Sequence, residues 1–562
     1  MPSTLRCDLA TRAESRPVAI APDTPRVSCG GRSASAGGVA EKRLVVATGP
    51  AAVGDRGLAL RAVFYPIFAT IVMTILSLGV RSDPGMAMRR VSLTIMLFVP
   101  AWMTCQFRSI LLDHRTAAMG GSILLCLFVY KHIPLRRWLW TDTFLLLLYF
   151  GTLCTQFAID ELRPLTPVEL FRVWVLPYVL GRIFFLRWDD DIPRTLPWVA
   201  MLLVLTFGLD MFEALAKINV VNKVMGKTFA LLEQGEGYRW GMKRSQGPMI
   251  HPIYNGMMLT LMLPWALSVF RAGWVGTRKK WAYLAAPLLL ASAVFFSVSR
   301  GPQLAFLVSC GAVVFFAVPR YRWLTFTLAV VVGGGGLVAK DAIMTRVKAL
   351  AGESKETTRT LVIGGQEVEY SGTNHRMLLF LVYAEAIEET GWFGWGPGMR
   401  DMPIAEGAGT RFGSIDSHYV KHLLEYGWWG LLTFVGLAVG GVWNAAKVAW
   451  RAGEENALFA AGLAGSIFAT AVMMNTVWFS FDYGSTWLFC VGLAGCMATL
   501  QPPRYAAVTA AAVHRHASLH GPRPSRQRKT AAAPQACPKR RSRPVSFEDP
   551  AGSCPASAGT TR

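Results

Sequence analysis

The sequence predicts an all-α polytopic membrane protein of about twelve transmembrane helices, with two long periplasm-facing loops, the second partly helical. Two observations carry this. Only 16% of the 562 residues are charged and 52% are hydrophobic, where a soluble chain carries about a quarter charged. The apolar residues fall into repeated runs approaching the ~20 residues that cross a bilayer as a helix. The short alternating segments of a transmembrane barrel are absent from the sequence.

Thirteen apolar segments qualify, at roughly 59–80, 91–107, 117–131, 141–158, 168–186, 196–215, 253–270, 281–298, 303–318, 323–339, 424–446, 457–478 and 484–500. Short polar links join most of them. Two links are long, at about 216–252 and 340–423. Arg271, Arg278, Lys279 and Lys280 place one short link inside, and Arg320 with Arg322 and Lys447 with Arg451 place two more there. Both long links and the turn Ser299-Arg300-Gly301 then face the outer, periplasm-like side. Twelve spans put both chain ends inside, with one early segment (91–107 or 117–131) interfacial.

The net charge of +22 lies outside the spans. The tail after Leu500 holds eleven Lys and Arg against Glu548 and Asp549. It reads as a cytoplasmic segment against anionic lipid rather than a nucleic-acid arm. Residues 1–57 are rich in Ala, Gly, Ser, Pro and Arg and read as disordered. No apolar core follows the first basic residues, so no signal peptide is expected. The predicted organisation is a disordered tail 1–57, N-terminal helices with the first long loop 58–252, a core 253–446 containing the loop 340–423, C-terminal helices 447–500, and a basic disordered tail 501–562. The ten cysteines lie in spans or tails with no CxxC pair, so neither a disulfide framework nor a zinc site is expected.

Candidate chemistry gathers on the outer side. Arg300 sits in a tight turn between two apolar segments. A guanidinium at a membrane boundary is costly unless paired or wetted. It is either a snorkelling anchor or, beside the backbone N–H groups of a Ser-Arg-Gly-Pro turn, a phosphate ligand. Arg376 opens a helical pattern running to Glu389. Arg239, Lys243 and Arg244 precede His251-Pro252 at a span entrance, as a diphosphate grip or a solvated loop face. The glycines of Gly391 to Gly398 neither follow a strand nor open a helix, so a nucleotide loop is rejected in favour of a turn returning the chain to the membrane. Asp189-Asp190-Asp191 falls on the cytoplasmic side and reads as an ordinary acidic loop. Asp416-Ser417-His418 lies where the second long loop meets a span, placing a carboxylate and an imidazole at the bilayer surface.

Taken together, Ser299-Arg300-Gly301, Arg376-x-x-Leu379, Phe393-Gly-x-Gly-x-Gly398 and Glu425-Tyr-Gly-Trp-Trp-Gly430 make the segment from Arg244 to Gly430 resemble the O-antigen ligase/polymerase superfamily, membrane glycosyltransferases of the GT-C type. Gly247-Pro248-Met249-Ile250-His251-Pro252 resembles that family's entry to the region. The resemblance implies a metal-independent bacterial inner-membrane enzyme, without cofactor, acting at the periplasmic face in cell-envelope polysaccharide assembly. It would move a glycan from undecaprenyl diphosphate to an acceptor hydroxyl, on another glycan or on lipid A-core. Membrane lipids and other polysaccharide-assembly proteins are the expected neighbours, and nucleic acid is not. By the same resemblance Arg300 and Arg376 bind the diphosphate, and Arg244, from the cationic group before His251, is a further candidate ligand. The family's base is a histidine eleven positions before the first glycine of Gly427-x-x-Gly430. Here that position is Asp416, and His418 is two positions late. On one continuous helix the two would point roughly 200° apart. His418 is favoured as base on its intrinsic pKa, with Asp416 the alternative if burial raises its pKa. The displaced histidine tilts the expectation towards polymerase over ligase. A polysaccharide-related flippase or transporter is the alternative class, although the chain lacks the internal repeats such folds show.

Overall fold

The computed structural model describes residues 84–99, 104–107, 110–129, 137–160, 162–223, 237–274, 280–338, 359–370, 375–399, 402–405, 415–451 and 454–500. The expected segment 59–80, the two tails and much of the second long loop lie outside the described residues. What is described is mostly helical. Helices α1 (Pro84–Phe98) and α2 (His114–Val129) flank a two-stranded ribbon, β1 (Thr104–Phe107) and β2 (Ile110–Asp113). Then come α3 (Trp140–Ala158), α4 (Thr166–Leu170), a π-helical turn Phe171–Val175, α5 (Leu176–Ile183) and the long α6 (Trp188–Ala216). The first long loop contains a short ribbon, β3 (Tyr238–Arg239) and β4 (Met242–Lys243). Helices α7 (Pro252–Leu261) and α8 (Leu263–Trp274) form one apolar unit bent by 46°. Next follow α9 (Lys280–Leu284), α10 (Ala286–Phe296), α11 (Arg300–Ala317) and α12 (Arg322–Val338). The second loop supplies a hairpin, β5 (Arg359–Ile363) and β6 (Gln366–Tyr370), then α13 (His375–Val382) and α14 (Ala384–Glu389). Last come α15 (His418–Arg451), α16 (Glu454–Met473) and α17 (Phe481–Thr499).

Among the described residues, four helices are long and apolar enough to cross a membrane, or five if the bent pair α7–α8 is one span. That is consistent with a polytopic helical membrane protein. Several other expected segments occur as shorter or interrupted helices: 168–186 is α4, the π-helical turn and α5, and 281–298 is α9 and α10.

Small residues let the helices approach closely, the usual solution where lipid removes the hydrophobic drive for helix association. Helix α5 packs on α17 with Gly181 against the backbone of Phe489 to Leu493 and Gly492 against the Tyr178 carbonyl. On α11 and α16, Gly465 faces the Ser309 carbonyl, and on α15 and α3, Gly436 meets the Phe144 ring. Two buried ion pairs join helices. Arg182 lies 3.0 Å from Asp142, and Arg89 lies 2.9 Å from Asp191. The Asp191 carboxylate also accepts the N–H groups of Leu186 and Arg187. This part of the acidic triplet is therefore a helix-start clamp.

The second loop has its own apolar core. Ile363 from the hairpin and Leu379, Val382, Tyr383 and Ala386 from α13 and α14 pack on Ile415, Val420 and Leu424, which leads the loop onto the first turns of α15. That helix breaks at Gly427, where φ is +67° and ψ −166°, a backbone region open only to glycine. The return segment after α14 fills the break. The N–H groups of Trp395 and Gly396 donate to the carbonyls of Leu424 and Glu425, at 2.7 and 3.0 Å. Those of Trp428 and Trp429 donate to the carbonyls of Gly391 and Trp392, both at 3.2 Å. A Cβ on Gly394 or on Gly427 would collide with the other strand of this exchange. The two glycine motifs of the sequence are thus one structural device, and they satisfy backbone groups that a kinked helix would otherwise orphan.

Candidate active site at one end of the helix bundle

The ends of six helices meet through the first loop. Residues 244–247 form a strap. The Ser245 N–H donates to the Phe296 carbonyl at 3.0 Å, which ties the strap to the end of α10. The Glu213 carboxylate, near the end of α6, accepts the N–H groups of Gln246 (3.1 Å) and Gly247 (2.9 Å) and the amide of Asn219 (2.9 Å). Asp210, one turn earlier, accepts the Asn255 amide of α7 at 2.9 Å and the Ser245 hydroxyl. Both carboxyls are almost fully buried. These two acidic residues were missed in the sequence, although a signal was there. Carboxyls three apart in an otherwise apolar span mark a buried polar function.

The strap delivers Arg244. Its guanidinium donates to the Ser299 hydroxyl at 2.6 Å, the residue before Arg300 at the start of α11. Arg300 itself is exposed. Partial desolvation lowers the guanidinium of the largely exposed Arg239 from its ordinary range, and the Arg300 charge lowers it further. Burial, then the Arg239 charge, brings Arg244 down to about 10. The three arginines therefore feel one another, an arrangement that favours an anion between them.

His251 caps α7, its Nδ1 accepting the Ile253 N–H at 3.2 Å. Burial first, then the Arg244 charge, opposed by Asp416, and the Arg239 charge together hold its pKa down at about 4. His251 is thus neutral at pH 7, and Nδ1 being an acceptor leaves the proton on Nε2. Beside it Tyr254 lies against Tyr483, ring centroids 5.7 Å apart.

Asp416 precedes α15 rather than lying in it, half-buried. The one-helix geometry that set it against His418 therefore does not apply. The two residues nonetheless have different surroundings. The Asp416 charge acts on His251 and Tyr254, on the arginine side. The His418 backbone N–H donates to the Met474 carbonyl at 2.8 Å, and its ring is enclosed by Phe434, His422 and Phe479, centroids 4.6, 4.9 and 5.2 Å away. His418 is 5% exposed, and its Nε2 has no hydrogen-bond partner among the described residues. Arg376 is exposed on α13, part of the second-loop unit. It is not among the cations whose charge acts on Arg244 or His251. The structure thus gathers Arg239, Arg244, Arg300, His251 and Asp416, and leaves Arg376 and the His418 ring outside that group. Among the described residues no set of three or more His, Cys, Asp or Glu is placed to hold a metal ion.

No curated protein matches the chain significantly. Residues 258–435 match the family model described as O-Antigen ligase. That stretch starts within α7, carries Arg300, Arg376 and Asp416, and ends within α15 beyond the Gly427 break. This match over about a third of the chain supports the O-antigen ligase/polymerase superfamily for residues 258–435.

Proposed function

We propose that the chain transfers a glycan from undecaprenyl diphosphate to an acceptor sugar hydroxyl at the periplasmic face of the bacterial inner membrane, as a polymerase of O-antigen or exopolysaccharide. The observation that carries this is the convergence of Arg239, Arg244 and Arg300 with His251 and Asp416 at one end of the bundle. The three guanidiniums hold the diphosphate, and their hold strengthens as negative charge grows on the departing oxygen in a poorly solvated site. The neutral His251 donates through Nε2–H to the same oxygens. Arg376 joins them from the second loop when the lipid-linked substrate is bound.

Asp416 is the base. It takes the proton of the acceptor hydroxyl as that oxygen attacks the anomeric carbon, and the diphosphate leaves from the opposite side with inversion. Its position on the arginine side supports this over His418, whose ring is walled in by aromatics. The departure from the family's histidine favours polymerase over ligase. Arg300→Ala and Arg376→Ala are expected to abolish polymer formation with the protein still present in the membrane. Gels of lipopolysaccharide and secreted glycan from cells lacking the gene separate the two activities. Single capped repeats or lost exopolysaccharide mean polymerase, and unligated full-length chains mean ligase. Normal surface glycan in both arginine variants sinks the proposal.

A further inference from the structure

A second polar cavity lies at the same end of the bundle, where the α3–α4 connection meets the return segment of the second loop. It is a half-open cavity of about 460 Å³, with Gln156, Asp160, Arg163, Thr166 and Glu169 as its polar lining and Pro397 and Gly398 at its border. That volume is within the range of small-ligand sites, about 300–1,000 Å³. The wall is held firmly. The Tyr149 hydroxyl donates to the Pro167 carbonyl at 3.0 Å, which ties α4 to α3. The Thr166 hydroxyl accepts the Arg163 N–H at 3.2 Å. Trp429 donates to the Leu147 carbonyl at 3.0 Å, which fixes α3 against the broken helix α15.

A series of contacts runs from the element after α4 to the first loop. From α4 the chain enters the π-helical turn, where Arg172 lies over the Phe481 ring at 5.3 Å and Trp174 stacks on Phe479 at 5.0 Å. Met474, in the turn between α16 and α17, accepts the His418 N–H at its carbonyl, and the Asp482 carboxylate at the start of α17 accepts the Ile250 N–H at 3.3 Å. Ile250 adjoins His251. The turn between α16 and α17, with the first residues of α17, thus touches the π-helical turn after α4 on one side and His418 and the first loop on the other.

The cavity's chemistry is the reverse of the cradle's. Two carboxylates face one guanidinium, so a diphosphate is repelled. Paired carboxylate oxygens match adjacent sugar hydroxyls, Arg163 and Gln156 donate to ring and hydroxyl oxygens, and Leu162 and Leu170 offer an apolar patch to the face of a sugar ring. We propose that this cavity is the acceptor subsite, binding the terminal sugars, uncharged or amine-bearing, of the glycan to be extended. The assignment rests on the transfer reaction proposed above.

The test uses the purified full chain in detergent. Membranes of cells lacking it supply the lipid-linked donor. Glycan extracted from the same cells and freed of lipid is titrated separately as acceptor. In Asp160→Asn and Glu169→Gln the half-saturating acceptor concentration is expected to rise about tenfold, through loss of charge-assisted hydrogen bonds. The half-saturating donor concentration and the binding of undecaprenyl diphosphate stay unchanged, which also reports that each variant is folded. An unchanged acceptor requirement, or a rise in the donor requirement instead, overturns the subsite. Failure of the underlying reaction has a different signature: the unaltered chain does not bind undecaprenyl diphosphate, or Arg300→Ala transfers glycan undiminished.

Discussion

Glu213→Ala is expected to free the strap that carries Arg244. The carboxylate accepts two backbone N–H groups, from Gln246 and Gly247, and the Asn219 amide. Asn219 keeps a second partner in the Gly247 carbonyl at 2.9 Å, so the two backbone donors bear the loss. Each buried donor left unsatisfied costs about 1–3 kcal/mol, so the variant loses about 4 kcal/mol locally. Glu213→Gln retains one oxygen for the N–H pair and loses about 1–2 kcal/mol. Trypsin reads this directly, because the bond after Arg244 is cut only when the strap opens. When opening is fast relative to cleavage, the rate follows the open population. About 4 kcal/mol then accelerates that cut about 1,000-fold in Glu213→Ala, with Glu213→Gln nearer tenfold. Mass spectrometry of the fragments separates it from cuts at exposed Arg239. A Glu213→Ala rate within about threefold of the unaltered chain refutes the strap.

Gly427→Ala is expected to destabilise the junction by about 2–4 kcal/mol, from backbone strain and lost cross-segment hydrogen bonds. It should lower the thermal midpoint in detergent and abolish transfer, and an unchanged midpoint counts against the glycine lock. His251, held near pKa 4 against an ordinary value of about 6.5, binds its proton more readily unfolded. Its contribution is present above about pH 6.5 and is lost progressively as pH falls towards 4. Unfolding temperatures measured across that window should therefore fall less steeply in His251→Gln, and parallel curves contradict the assignment. Asp416→Asn should lower transfer about 10²–10⁴-fold, whereas His418→Phe, which fills the same aromatic enclosure, should retain most of it. The reverse pattern in a transfer assay assigns the base to His418.

Sequence alone determined the class of this protein, because hydropathy is a property of local runs and needs no knowledge of neighbours. It also singled out Arg244, Arg300, Arg376, Asp416 and His418 as candidates, from charge and motif near the ends of apolar runs. The glycines at 394 and 427 were visible as motifs, but not as partners. Their meaning is a backbone exchange between segments that only folding brings together. Asp210 and Glu213 were legible as misplaced carboxyls in an apolar helix, yet what they hold lies in a loop some thirty residues on. The different surroundings of Asp416 and His418 were equally beyond the sequence. Intrinsic pKa favours histidine, and it ignores surroundings. Tertiary structure starts the helix at His418, turns that ring into an aromatic enclosure and leaves Asp416 on the side of the arginines. Which side chains share a site is decided by where helix ends meet, and no spacing along one chain encodes that distance.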